Sequence, residues 1–170
     1  MKRPNINEYN PYFQGYIDLV GEGDFMELLR KNTADTVSYY SAIPTDKQNY
    51  RYEPGKWTIK EVLMHLIDTE RVFIYRALVA GRGDSETQLH KMDPDLYVRG
   101  AEVSGRTMES LVNEFRAVRG ATDVFYENLS NEHSERIGNN APFPITPRAL
   151  GFITIGHIHH HKNIIDQRYL

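Results

Sequence analysis

Four stretches of this 170-residue chain repeat apolar side chains at helical spacing, and none alternates as a half-buried strand would. Such a chain must bury its apolar faces by packing helix on helix. The first stretch runs from about Asp24, an N-capping residue, through Phe25, Leu28, Leu29, Val37 and Tyr40 to Ala42, and Pro44 stops it. The second opens at Thr58-Ile59-Lys60-Glu61, which has the form of a capping box, and ends near Ala80 before Gly81 and Gly83. The third spans about Thr107 to Leu129 through Met108, Leu111, Phe115, Val118 and Phe125, with Gly120 weakening it. The fourth begins at Thr146-Pro147, a capping residue followed by proline in the first helical position, and reaches about Gln167. The connections Gly81 to Arg106 and Ser130 to Ile145 are too long for simple hairpins, so they are expected to carry short helices or functional loops that wall one end of the bundle. The expected architecture is an all-α four-helix bundle with long connections, in one domain over residues 1–170.

The fourth stretch also carries four of the chain's seven histidines, at positions 157, 159, 160 and 161. Ile158 interrupts the run, and Leu150 to Ile155 and Ile164-Ile165 flank it with apolar residues, so it has the amphipathic character that a purification tag lacks. At about 100° per residue, with His157 as zero, Leu150 falls near 20°, Ile153 near −40°, His161 near 40°, Ile164 near −20°, His160 near −60° and His159 near 200°. His157 and His161 therefore share the apolar face, His160 lies at its margin, and His159 points the other way into solvent. On the second stretch, Val62, Thr69 and Val72 lie within about 60° of His65, so it faces inward as well.

Buried imidazoles need partners. An i, i+4 histidine pair can clasp one metal ion, and a third ligand from a facing helix completes a set with an open position, as in catalytic zinc sites. His65, His157 and His161 form such a candidate set, expected to hold one divalent ion per chain. Zinc or nickel suits three imidazoles, iron, manganese and cobalt suit them too, and spacing does not choose. Spacing also leaves open three histidines simply hydrogen-bonded in the core. Asp68 and Glu61 stand near His65 in the helix as partners of the ligand shell, proton relays or surface ion pairs. Trp57, at the start of the second stretch, reads as a structural anchor.

Composition removes several function classes. The chain contains no cysteine, so it has no disulfide, no thiolate ligand and no cysteine nucleophile, and thiol chemistry would need a thiol brought in as substrate. A formal charge of −3 without a basic block argues against nucleic-acid binding. No apolar run approaches the ~18 residues of a membrane span, and Met1-Lys2-Arg3-Pro4-Asn5 lacks the apolar segment of a signal peptide. A cytoplasmic location without membrane association is the expectation.

The segment Tyr52-Glu53-Pro54-Gly55-Lys56-Trp57-Thr58 through His65-Leu66-Ile67-Asp68-Thr69-Glu70-Arg71 resembles the second-helix signature of the DinB-like superfamily, which includes the YfiT-type proteins. The segment Gly156-His157-Ile158-His159-His160-His161 through Arg168-Tyr169-Leu170 resembles its fourth-helix signature. The likeness extends to Pro11-Tyr12 through Asp24 and to Arg148-Ala149-Leu150. This superfamily is distinct from the DNA polymerase that shares the DinB name. The resemblance implies a four-helix bundle with a divalent metal on His65, His157 and His161, a homodimer, and a small-molecule substrate. The chain departs from the pattern at Leu89-His90-Lys91-Met92-Asp93, where relatives often carry proline and glycine, and at Ile158-His159, so the substrate does not transfer from them.

Three functional readings follow. The first is a metal-dependent enzyme, either a transferase of low-molecular-weight thiols or a hydrolase, as the resemblance implies. The second is a metal-binding stress or sensor protein without turnover. The third is a helical interaction module whose histidines are merely packed.

Overall fold

The computed structural model describes residues 1–138 and 143–170. The fold is all-helical, and among the described residues the only β-type pairing is one isolated antiparallel bridge between Gly138 and Ile145. Among the described residues, seven α-helices follow in order: α1 (Gln14–Asp18), α2 (Phe25–Ser41), α3 (Ile59–Arg82), α4 (Pro94–Ala101), α5 (Met108–Glu127), α6 (Asn131–Ser134) and α7 (Pro147–Arg168). The four long ones are the four stretches read from the sequence.

Each long helix starts where a side chain satisfies its first free amides. Asp24 Oδ1 accepts from the Met26 and Glu27 amides, at 2.9 and 3.1 Å. Thr58 Oγ1 accepts from the Glu61 amide at 3.2 Å while Glu61 accepts from the Thr58 amide at 2.6 Å, which is the expected capping box. Thr107 and Thr146 cap α5 and α7 in the same way, through the Ser110 and Ala149 amides. Gly83 ends α3 with φ of 71°, a left-handed conformation that costs glycine least.

The connection after α3 contains α4, and the one after α5 contains α6, so both hold short helices as expected. The rest of the second connection includes positions outside the described residues. The N-terminal segment, with 3-10 turns at Ile6–Glu8 and Pro11–Phe13 followed by α1, lies along α7.

The interior holds two apolar clusters. One gathers Leu63, Ile67, Leu111, Phe115 and Ile165, and the other Phe25, Leu29, Tyr126, Phe152 and Ile153. Charges are also buried, in pairs. Arg119 is fully enclosed and donates to Glu70 through Nε at 2.8 Å and Nη2 at 2.9 Å, with Asn32 Oδ1 and Thr122 Oγ1 completing the group. This bidentate pair joins α2, α3 and α5. Arg148 and Thr146 donate to Glu8 at 2.6 and 2.9 Å, tying the N-terminal segment to the start of α7. Burial would raise the Glu8 pKa, but hydrogen bonds from Arg148, Asn5 and Thr146 outweigh it and hold the carboxyl at about 2. Among the described residues, no helix is long and apolar enough to cross a membrane.

Candidate metal centre

α3 and α7 pack directly against each other, and their contact brings together the three inward histidines. His65 Nε2 lies 3.1 Å from His157 Nε2, and His161 Nε2 lies 3.0 Å from the same atom. One ligand atom from each of the three falls within 4.8 Å of the others, and no other such group of histidine or carboxylate side chains occurs among the described residues. His65 and His157 are buried, and His161 is half-buried. His159 and His160 do not belong to this group. His159 is half-buried rather than solvated, and the charges it feels are those of Asp35, Lys31 and Lys162 on the outer side. His160, at the margin, packs its ring on Tyr16 at 5.1 Å and on His161 at 5.2 Å.

The trio sits where the two apolar clusters meet. The Trp57 ring lies 4.7 Å from His65 and stacks toward His161 at 6.5 Å, while Phe73 and Tyr16 close the other side against His157 at 6.2 and 5.4 Å. This enclosure sets the protonation state. Burial lowers the His65 pKa to about 4, against a small opposite pull from Asp95. Burial, with repulsion from His65 and His160, lowers His161 to about 3. Burial first, then its histidine neighbours, pushes His157 well below its ordinary value. At neutral pH all three rings are uncharged, and each offers one nitrogen lone pair.

Those lone pairs fit a cation better than they fit one another. A neutral imidazole nitrogen carries either one N–H or one lone pair, directed along a single in-plane axis. His157 Nε2 faces two other Nε2 atoms at 3.0 and 3.1 Å, so one axis cannot serve both contacts well. Two imidazole nitrogens about 2.1 Å from a shared ion, as in zinc sites, stand roughly 3.0–3.4 Å apart. Thr69 Oγ1, 3.3 Å from His65 Nδ1, takes up the other nitrogen of that ring and leaves Nε2 facing the cluster. An all-imidazole set suits zinc, nickel, cobalt, iron or manganese.

For Asp68 and Glu61 the ion-pair alternative holds: Asp68 pairs with Arg71 at 3.0 Å, and Glu61 is held by the helix cap and by Arg51 at 2.7 Å, so neither serves His65. The orienting group is Thr69, whose i+4 position on the inward face was visible in the sequence. Trp57 is more than an anchor, because its ring forms a wall of the site while its Nε1 donates to Asp95 Oδ1 at 3.1 Å. That bond brings the start of α4 over the histidines, and Met92 Sδ, 4.0 Å from Thr69 Oγ1, brings the preceding loop there as well. The departing loop Leu89 to Asp93 thus borders the site.

The family follows from the match of a DinB superfamily model to residues 28–165, a range that contains all three histidines. The chain belongs to the DinB superfamily. No curated protein matches it significantly. Among solved structures, this DinB superfamily chain is similar to YfiT from Bacillus subtilis, described as a probable metal-dependent hydrolase with an unusual four-helix bundle topology. The TM-score is 0.69 at 18% identity, covering 95% of this chain and 94% of that one. It is also similar to a mycothiol-dependent maleylpyruvate isomerase, with a TM-score of 0.66 at 14% identity over 81% of this chain; the match spans 57% of that isomerase's length. At these identities the likeness establishes the shared bundle.

Proposed function

We propose that the chain is a metal-dependent enzyme acting on small molecules, with His65, His157 and His161 as the ligands of one divalent ion, zinc or nickel before iron, manganese or cobalt. The observation that carries this reading is the convergence of three neutral, enclosed imidazole nitrogens on one point. When bound there, a divalent ion keeps its full charge and supplies Lewis acidity, which favours deprotonation of a water or thiol near neutral pH. The chain's own residues do the rest. Thr69 orients His65, and Trp57 on one side of the site and Phe73 and Tyr16 on the other limit the access of bulk water, which makes electrostatic effects stronger there.

The reaction we infer is transfer of a low-molecular-weight thiol to an electrophile, or hydrolysis of an amide or ester. The absence of cysteine accords with a thiol supplied by the substrate, and the mycothiol-dependent neighbour lends that arm support. A homodimer in the cytoplasm, without nucleic-acid or membrane partners, belongs to the same reading.

Metal content of untagged protein tests the ligand set, with about one equivalent per chain expected. His65→Ala, His157→Ala and His161→Ala should each lose it in chelator competition, while His159→Ala should retain it and His160→Ala should show a smaller effect. Equal losses at all histidines would overturn the assignment. Loaded protein that turns over neither thiol with electrophile nor amides and esters would leave a metal-binding sensor as the better reading.

A further inference from the structure

On the face of α3 away from the histidines, an open cavity of about 680 Å³ lies between α3, the end of α2 and the start of α5. Its lining includes Lys60, Arg106, Arg116, Thr45, Thr107 and a single carboxylate, Glu109. Lys60 is the unusual member. It is only 6% exposed, yet its ammonium, with three donors, makes one hydrogen bond, to the Ser104 carbonyl at 3.5 Å. Lys60 has no carboxylate counter-charge among the described residues, and the cavity it lines is where an anion would supply one.

Other donors border the same space. Arg116 bonds only Asn113 Oδ1, at 2.9 Å, and has no carboxylate partner among the described residues. Arg106 also lines the cavity, but Glu114, at 2.5 Å, already takes its charge. Thr107 caps α5 through the Ser110 amide, so the amides of Met108 and Glu109 at the head of this 20-residue helix have no partner within it. Helix amides and the Lys60 ammonium, from two helices, suit an anion with oxygens in several directions, whereas a planar carboxylate needs only one guanidinium fork; Arg116, about 12 Å along α5 from Met108, stands at the far end of the cavity. The cavity is larger than one inorganic anion requires and falls within the range of small-molecule pockets.

We propose that this cavity binds a small phosphorylated molecule, its phosphate group held by Lys60 and the first amides of α5 and the rest of the molecule reaching toward Arg116. The site is separate from the histidine cluster and does not depend on the function proposed for it.

The test is an amide chemical-shift titration of the full chain at constant ionic strength, with inorganic phosphate, glycerol 3-phosphate and succinate as probes. Saturable shifts confined to Lys60 and Thr107 to Glu109 are expected with both phosphate probes, extending to Arg116 with the ester, which should bind more tightly. Lys60→Met should weaken binding of both phosphate probes at least fivefold, Arg116→Gln should weaken the ester more than inorganic phosphate, and Lys31→Gln, on α2, should leave both unchanged. Arg116 is exposed, so its variant retains the fold if Lys60→Met does not. Shifts that spread over the surface or never saturate would overturn the proposal, as would succinate binding as tightly as the ester, or equal loss in Lys31→Gln.

Discussion

The Tyr16 carbonyl oxygen occupies the space that a side chain at Gly156 would need. A Cβ on Gly156 would overlap that oxygen and lie 3.0 Å from Tyr16 Cα, so α1 and α7 touch backbone to backbone one residue before His157. Backbone cannot swing aside as a side-chain tip can. Gly156→Ala should therefore destabilise the protein by at least the ~1–3 kcal/mol of an overpacked core, and should also weaken metal binding by displacing Tyr16 from His157. Gly120, inside α5 with nothing within 4 Å of its would-be Cβ, provides the contrast. Gly120→Ala should stabilise by up to ~1 kcal/mol through helix propensity. Urea unfolding of both variants checks the opposite signs, and a stable Gly156→Ala protein would mean that the two helices do not approach this closely.

The Glu70–Arg119 pair should behave as a unit. Removing either charge leaves the other enclosed without a partner, so Arg119→Met and Glu70→Leu should each cost about 3–5 kcal/mol. The double variant, with neither charge left, should recover much of that loss. Unfolding free energies from the complete double-mutant cycle measure the coupling, and simple additivity would show that the pair does not hold α3 to α5.

What was legible beforehand depended on local chemistry. The four long helices could be read because their caps, Asp24, Thr58, Thr107 and Thr146, and their stops lie within a few residues of the ends they define. His65, His157 and His161 could be placed inward because helical angles follow from sequence spacing alone. Features that depend on contacts between distant segments were not legible. The five residues of α1 have no strong periodic signal, and their position follows from the close approach at Gly156. Trp57 precedes its helix, so no angular argument could turn its ring toward His65. No local pattern links Glu70 to Arg119, and the pair exists only once α3 and α5 are packed together.

Acid should destabilise the metal-free protein in two overlapping ranges of pH. Burial depresses the pKa of His65 to about 4 and of His161 to about 3, so below their ordinary value of 6.5 the unfolded chain takes up protons that the folded chain does not. Stability is therefore fully present above pH 6.5 and declines as pH falls toward 4 and then 3. Glu8, held at about 2 from an ordinary 4.5, adds a second decline below pH 4.5. Urea midpoints measured in chelator against pH should show both limbs. The double variant His65→Gln/His161→Gln should make the first limb shallower, leaving the share of His157, and spare the second. An unchanged first limb would assign the acid sensitivity to other groups.

Trp57 should report on the metal centre directly. It is the only tryptophan in the chain, and its ring lies 4.7 Å from His65 and stacks toward His161, so its emission responds to that site and to no other tryptophan environment. Nickel held by the three histidines should quench the emission, and the titration should end at about one ion per chain. Zinc should restore the signal by displacing nickel, since it has no unpaired electrons and occupies the same imidazoles. His157→Ala should abolish the quenching without moving the emission maximum of the metal-free protein, because Trp57 contacts His65 and His161 rather than His157. Asp95→Asn, which alters the acceptor of the indole N–H at 3.1 Å, should shift the emission but preserve the stoichiometry. If nickel binds with one-to-one stoichiometry by elemental analysis while Trp57 emission stays constant, the ion sits away from the three histidines.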